Sequence, residues 1–272
     1  MGELYDALRE ALRAEEPVAL ASVVEGPPVE AGRGRGQGVG AKLLVRPGAA
    51  PLGTLGDADL DRVVARDALG QLAAGASATR HYGLHGEARQ RDVSVFIESY
   101  APPPRMVIFG AVDFTAALAR VAKVLGYRVT VCDARAVFAT PLRFPDADEV
   151  VVDWPDRYLA KAGDDLGPRD VVCVLTHDPK FDVPAIVAAL ETKVGYLGAM
   201  GSRRTHADRV RRLREAGVDD AGLARVMAPI GLDIGARTPE ETAISICSEI
   251  IALRTGRAGA PSLRDTDGPI HS

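Results

Sequence analysis

The chain has 272 residues, 47% of them hydrophobic and 5% aromatic, with a formal net charge of −4. That is enough chain for one large domain or two modest ones with a proper core, and Ala, Val, Leu and Gly dominate it, the palette of helices packed closely on a sheet. The charge balance gives no global basic field and excludes a general nucleic-acid binder, while the lack of an apolar leader or of about 18 uninterrupted apolar residues predicts a soluble, cytoplasmic protein with no membrane span.

In chain order, residues 3–15 and 57–73 read as helices flanking two short strands, VALASVV and AKLLV. Between the strands, GPPVEAGRGRGQGVG places glycine at positions 32, 34, 36, 38 and 40 and reads as a mobile Gly/Arg loop in preference to a ligand cradle. Residues 1–100 are therefore expected to form a smaller α/β domain. APPPR at 101–105 removes backbone donors and favours an extended spacer, which marks a boundary. Beyond it, MVIFGA is a strand, and Leu118, Val121, Ala122 and Leu125 share one face of the following helix. RVTVCD, EVVVDW and DVVCVLT follow as strands, then a helix around Val183–Leu190, then KVGYLGAMG and RVMAPIGLDIG, each leading into a helix.

Strands that are apolar throughout, separated by amphipathic helices, predict a parallel sheet covered on both faces. Residues 105–257 thus read as a Rossmann-like, doubly wound domain. Its last helix carries a capping box in Thr238-Pro239-Glu240-Glu241, with Ala243, Ile244, Cys247, Ile250 and Ile251 repeating at helical spacing. Residues 258–272 read as a tail with little core of its own. Cys132, Cys173 and Cys247 form no CxxC pair and are expected as buried, reduced thiols.

A dinucleotide fingerprint after the first strand of the second domain needs three glycines. The turn reads Gly110-Ala111-Val112-Asp113-Phe114-Thr115, so only the first is present, and Val112 stands where a pyrophosphate would lie. Asp133, at the end of the next strand, matches the ribose-reading acid. YLGAMGSRRTH offers a second helix start. Gly198, Gly201 and Ser202 lead into a helix whose first turn carries Arg203 and Arg204, a place where free N–H groups and the helix dipole favour an anion. The competing reading is a solvated basic face, since Arg209, Arg211, Arg212 and Arg214 continue the run. Two further loops are expected at the same sheet edge, one with Thr176, His177, Asp178, Lys180 and Asp182, the other with Gly231, Asp233, Gly235 and Arg237. No nucleophile elbow, Walker loop, HExxH or Cys/His zinc set is present, so neither a self-contained catalytic constellation nor a metal site is expected.

VIFGAVDFTAALARVAKVLGYRVTVCDAR, FPDADEVVVDWPDRYL, VLTHDPKFDVPAIVAAL, YLGAMGSRRTHADRVRRL and PIGLDIGARTPEETAISICSEIIA together resemble the xanthine dehydrogenase accessory protein family (XdhC/CoxI). The likeness covers residues 105–272 nearly without gaps and extends more loosely to the first domain through VALASVV, AKLLV, the Gly53–Gly56 turn and DVSVFIES. The resemblance implies a non-enzymatic carrier that binds molybdopterin or the molybdenum cofactor, assists its sulfuration and delivers it to a xanthine or carbon monoxide dehydrogenase type hydroxylase, with a cysteine desulfurase as a further partner. On that reading Gly198, Gly201, Ser202 and Arg203 hold the phosphate, His177 and Asp178 border the pterin or metal, and Asp233 and Gly235 close the pocket. Gly110, Asp133, Thr176 and Gly231 complete the cofactor-binding set. One departure matters: where many relatives carry a G-G-C-type turn in the first domain, this chain has GTLGDADLD, without a thiol. The alternative is an NAD(P)-dependent oxidoreductase built on Gly110 and Asp133, and a third reading is a protein-interaction module with a vestigial pocket. A homodimer is the default assembly.

Overall fold

The computed structural model describes residues 2–26, 38–257 and 260. The glycines at 32, 34 and 36 and almost all of the 258–272 tail lie outside the described residues. The chain divides into two compact units, with the break between Pro102 and Pro103, inside the proline run.

The first unit is built from α1 (Gly2–Arg13), β1 (Val18–Glu25), β2 (Lys42–Val45), β3 (Leu52–Thr54), α2 (Ala58–Ala74), β4 (Ala78–Tyr82) and β5 (Val93–Tyr100). Its antiparallel strands lie in the order β3-β2-β1-β5-β4. β1 is central and covered on both faces. Ala19, Ala21 and Val23 pack with Val64, Ala68 and Leu72 of α2, while Val18 and Leu20 pack with Ala11 of α1. An antiparallel strand usually alternates; covering both faces is why VALASVV reads as one apolar run. α2 starts on Asp57, whose side chain accepts from Asp59 N and Leu60 N, and stops at Gly75 in the left-handed region. Sequence patterning finds only β1 and β2 of these five strands.

The second unit alternates as expected: β6 (Arg105–Phe109), α3 (Asp113–Val124), β7 (Arg128–Cys132), β8 (Glu149–Val151), α4 (Pro155–Ala162), β9 (Val171–Val174), α5 (Pro179–Leu190), β10 (Tyr196–Ala199), α6 (Arg203–Glu215), α7 (Asp220–Ala224), β11 (Val226–Met227) and α8 (Pro239–Arg254). All its pairings are parallel, in the order β11-β10-β9-β6-β7-β8. This is the doubly wound Rossmann-like arrangement, with its direction of winding reversing between β6 and β9. Met106 and Ile108 face α3 and α8 through Leu118, Ala122, Ile246 and Ile250. Val107 and Phe109 face the opposite layer, with Ile186, Ala189 and Leu213.

Three details differ from the sequence expectation. The segment between β7 and β8 runs through turns with no helix. α5 begins at Pro179, before Val183, and continues through an internal Pro184. On α8 the buried stripe is Ala243, Ile246, Cys247 and Ile250, while Ile244 and Ile251 are exposed. All three cysteines are free and buried. The α8 capping box is formed: Thr238 accepts from Glu241 N, and Glu241 accepts from Thr238 N. Replacing Thr238→Ala should therefore cost about 1 kcal/mol, read as a lower urea midpoint at unchanged slope.

Candidate functional site

Ligands of open parallel sheets bind beyond the carboxyl ends of the strands, at the reversal point. Here that edge is formed by the segments that follow β6, β9, β10 and β11.

The turn after β6 is filled by the protein itself. Gly110 sits at φ +115°, and a Cβ there would come within 2.8 Å of Thr176 Cγ2 and 3.0 Å of Thr176 N. Gly110 and Thr176 are thus brought together as packing partners. Ala111 N donates to Asp133 Oδ2 at 2.8 Å. Arg135 clamps the same carboxylate through Nε (2.9 Å) and Nη2 (2.7 Å). Burial pushes the Asp133 carboxyl up, but Arg135 and the two N–H donors together hold it below its ordinary value. The acid in the ribose-reading position is therefore engaged, and the α3 start, capped by Val112 without a side-chain hydrogen bond, has already committed a free N–H.

The start of α6 differs. Gly201 turns the chain at φ +146°, and Ser202 caps the helix by accepting from Thr205 N at 3.1 Å. Arg203 and Arg204 are exposed and have no ion-pair partner among the described residues. Beneath them lies a buried network. Thr176 donates its hydroxyl to Asp182, and Arg209 Nη2 donates to Asp182 Oδ2 at 2.9 Å and to Met200 O at 2.7 Å. The Arg209 and Asp182 side chains are only 3% and 5% exposed. Burial pushes the Asp182 carboxyl above its ordinary value, partly offset by Arg209. Arg209 Nη1 is buried without a hydrogen-bond partner, as is His206 Nδ1. A cavity of about 160 Å³ opens between α5 and α6, lined among others by His177, Asp182, Arg204, Asp208, Arg209 and Arg212.

This arrangement corrects the view of α6 as a solvated basic face. Arg211 and Arg214 are solvated and paired with Glu215 and Asp220. Arg209 is buried, one turn from the buried Leu213, so it lies on the stripe that packs inward. That i, i+4 relation to Leu213 is the sequence signal for it. Asp182, which the sequence places in the loop after β9, and Arg212 line the same cavity as Arg209.

The remaining expected site residues scatter. Asp178 caps α5 through Lys180 N and is exposed. Gly198 lies inside β10, paired with Cys173 and Met227, where a Cβ would fall 2.5 Å from Ile230 Cδ1. Its lack of a side chain serves close packing, not a ligand. Gly231, at φ +95°, donates its N–H to Glu249 Oε2 at 3.0 Å and packs against Ser245. Asp233 and Gly235 are exposed and do not line the cavity. Burial pushes the Cys132 thiol up to about 12 and Cys247 up to about 11, so neither supplies a thiolate. Among the described residues no group of three or more His, Cys, Asp or Glu is arranged to hold a metal. Among the described residues no helix is long and apolar enough to cross a membrane. In the first unit, the thiol-free turn is held together by Thr54 donating to Asp61 at 2.7 Å, and Asp57 there accepts His85 Nδ1 at 2.8 Å.

Two substitutions separate packing from binding. Gly198→Ala should cost about 1–3 kcal/mol by overpacking, with part of the loss recovered when Ile230→Ala is added; a denaturation series on the three variants reads this. Arg209→Met leaves Asp182 buried and unpaired and should cost about 3–5 kcal/mol. Because burial favours the protonated acid, that loss should shrink as pH falls and grow as pH rises, which urea melts at several pH values will report.

Residues 106–250 match the family model described as the XdhC Rossmann domain, and residues 11–83 match the model described as the XdhC and CoxI family. The chain is 30% identical over 260 residues to the protein YqeB of Escherichia coli K12, covering 92% of this chain and 46% of that protein. It is 32% identical over 171 residues to a probable xanthine dehydrogenase subunit of Bacillus subtilis 168, covering 63% and 49%. It is 34% identical over 99 residues to the molybdenum cofactor insertion chaperone PaoD of Escherichia coli K12, covering 36% and 31%. The chain thus spans less than half the length of these relatives. A solved structure described as a xanthine dehydrogenase from Bacillus halodurans superposes with a TM-score of 0.54 at 23% identity, over 94% of this chain and 97% of that one, which establishes a shared fold.

Proposed function

Since this chain belongs to the XdhC and CoxI family, we propose that it is an accessory protein that holds the molybdenum cofactor by its phosphate end and delivers it to a xanthine dehydrogenase type enzyme. One observation carries the reading: a buried guanidinium, Arg209, leaves Nη1 without a partner beside a cavity that Arg204 and Arg212 also line. An unsatisfied buried donor of this kind is costly unless an acceptor fills the site. A phosphate oxygen supplies that acceptor, and charge-assisted bonds to arginine are the strong ones. The Ser202-capped start of α6 adds the positive end of a helix dipole, and Arg203 and Arg204 in its first turn gain a partner that offsets their unfavourable position.

The cavity suits one end of the ligand only. At about 160 Å³ it falls below the ~300–1,000 Å³ that encloses a whole small molecule. A phosphate would fit there, and His177 on the cavity lining would border the pterin. Asp208 limits the positive charge, and Asp182 is already matched by Arg209. When bound, the cofactor brings the molybdenum and dithiolene chemistry. This chain orients it and shields its anionic end, while its own raised thiols stay out of the metal's coordination. Sulfuration of the cargo would make a cysteine desulfurase a second partner. A carbon monoxide dehydrogenase type client, a cytoplasmic location and a homodimer belong to the same proposal. The relative named as a molybdenum cofactor insertion chaperone supports the class of cargo. Nothing in the turn after β6 favours NAD(P), because Asp133 is clamped by Arg135 and Ala111 N.

The test is direct. Protein purified from a molybdenum-replete host should release molybdopterin on acid denaturation, identified by mass and absorption. Arg204→Ala/Arg212→Ala should lower retention at least about tenfold, the loss of two charge-assisted bonds. Full retention by the double variant would place the phosphate elsewhere.

A further inference from the structure

The first unit holds a groove that the cofactor reading does not use. It has a volume of about 640 Å³, and every residue of β4 from Ala78 to Tyr82 lines it. α2 forms the opposite wall through Val63, Arg66, Asp67 and Gln71, and Gly86, Ala88, Arg89, Gln90 and Arg91 of the β4–β5 loop form the end. β4 is the terminal strand of its sheet and pairs only with β5 among the described residues. Because successive side chains of a strand point to opposite faces, a groove lined by all five residues of β4 runs along its free edge.

We propose that this groove is a docking slot in which an extended, acidic segment of a partner protein adds to β4 as a further strand beside α2. Two features favour that occupant. An unpaired strand edge is a template for main-chain pairing, and strand addition is a recurrent mode of peptide recognition. Five residues of β4 offer about 17 Å of edge, matching a short extended segment and exceeding what a single small anion needs.

The second feature is charge. Four arginines, Arg66, Arg80, Arg89 and Arg91, line the groove against one acid, Asp67. That acid is already engaged, since it accepts from Tyr82 Oη at 3.1 Å and pairs with Arg66 at 3.0 Å. With the Gln71 amide turned so that its oxygen faces Arg80, it accepts from Arg80 at 2.7 and 3.0 Å and donates to Ala76 O. Arg89 and Arg91 have no ion-pair partner among the described residues. Arg89 occupies the left-handed region at φ +71°, an uncommon conformation for a residue with a side chain. The positive groups come from α2, β4 and the loop, spread along the strand. That suits a segment with acids at intervals and does not converge on one phosphate. The partner's chemistry is thus an extended chain with alternating acidic side chains.

The experiment uses the full chain and a fluorescein-labelled heptapeptide alternating Glu and Val, with an alternating Lys and Val peptide as control. Fluorescence polarisation should show saturable binding of the acidic peptide alone, weakened several-fold on going from about 0.05 to about 0.5 M salt. Arg91→Glu, in the loop, should weaken it about tenfold, and Arg80→Glu/Arg91→Glu further. Hydrogen exchange should show new protection of the Ala78–Tyr82 amides with peptide bound. Equal binding by the wild type and Arg91→Glu would overturn the proposal. So would competition by inorganic phosphate or a nucleotide without protection of β4, which would make the groove a small-anion site. Absence of any acidic-peptide binding would also overturn it, leaving the arginines as guards against edge-to-edge association. Molybdopterin retention, read on the same samples, should be unchanged in Arg91→Glu, so failure here leaves the cofactor reading untouched.

Discussion

The carboxyl edge of the parallel sheet depends on one buried ion pair. Arg209, midway along α6, reaches Asp182 in the first turn of α5 and the carbonyl of Met200 just past β10. Thr176, just past β9, completes the network from the other side of Asp182. Two strand ends, the start of α5 and the middle of α6 are therefore held together by hydrogen bonds between nearly buried groups. Such a pair adds little net stability, because desolvating both charges roughly cancels their attraction. Its use is positional. A guanidinium has five N–H donors, and satisfying Asp182 and Met200 leaves Nη1 over. The pair fixes that surplus donor beside the α5–α6 cavity, so Arg209 itself needs no ordering when an anion arrives.

The two helix starts at this edge differ in a way that favours α6 for the proposed anion site. At α3 the open backbone is used up: Gly110 packs on Thr176, Ala111 N is taken by Asp133, and Val112 caps without a polar side chain. Each of these would have to be undone for a pyrophosphate to approach. At α6 the capping serine binds only its own helix, and the first-turn arginines find no internal partner among the described residues. A shared fold thus conceals a changed address, since the sheet reverses in the usual place while the ligand-ready donors sit one strand further out.

The elements of the second unit can be read from the sequence because a sheet covered on both faces writes itself as unbroken apolar strands. The same rule finds β1, buried on both sides by α1 and α2, and misses β4, an edge strand with Thr79, Arg80 and His81 exposed. The stretch between β7 and β8 departs for a different reason: the strand–helix alternation does not extend into a segment broken by turns and prolines. In the site, glycine misleads where it is read as room for a ligand. Gly198 and Gly231 make room for Ile230 and Ser245. Arg209 is hidden by composition, because six arginines in thirteen residues of α6 make any one look like solvent surface. Only its register with Leu213 sets it apart, and register outranks composition whenever a helix has one buried stripe.

Net charge says little about where charge acts. A chain at −4 still gathers arginine in two separate settings, along β4 and at the start of α6. Beyond about 10 Å at ordinary ionic strength the surrounding acids are screened from each cluster, so each behaves as a local field. The two differ in kind. At α6 the central guanidinium is buried and fixed by Asp182, which favours a compact anion recognised at short range. Along β4 the guanidiniums are exposed and spread over three elements, which favours a long, repetitive partner recognised through strand pairing and many weak contacts. Burial of the cation, more than its number, distinguishes the proposed anion site from the proposed docking slot in this chain.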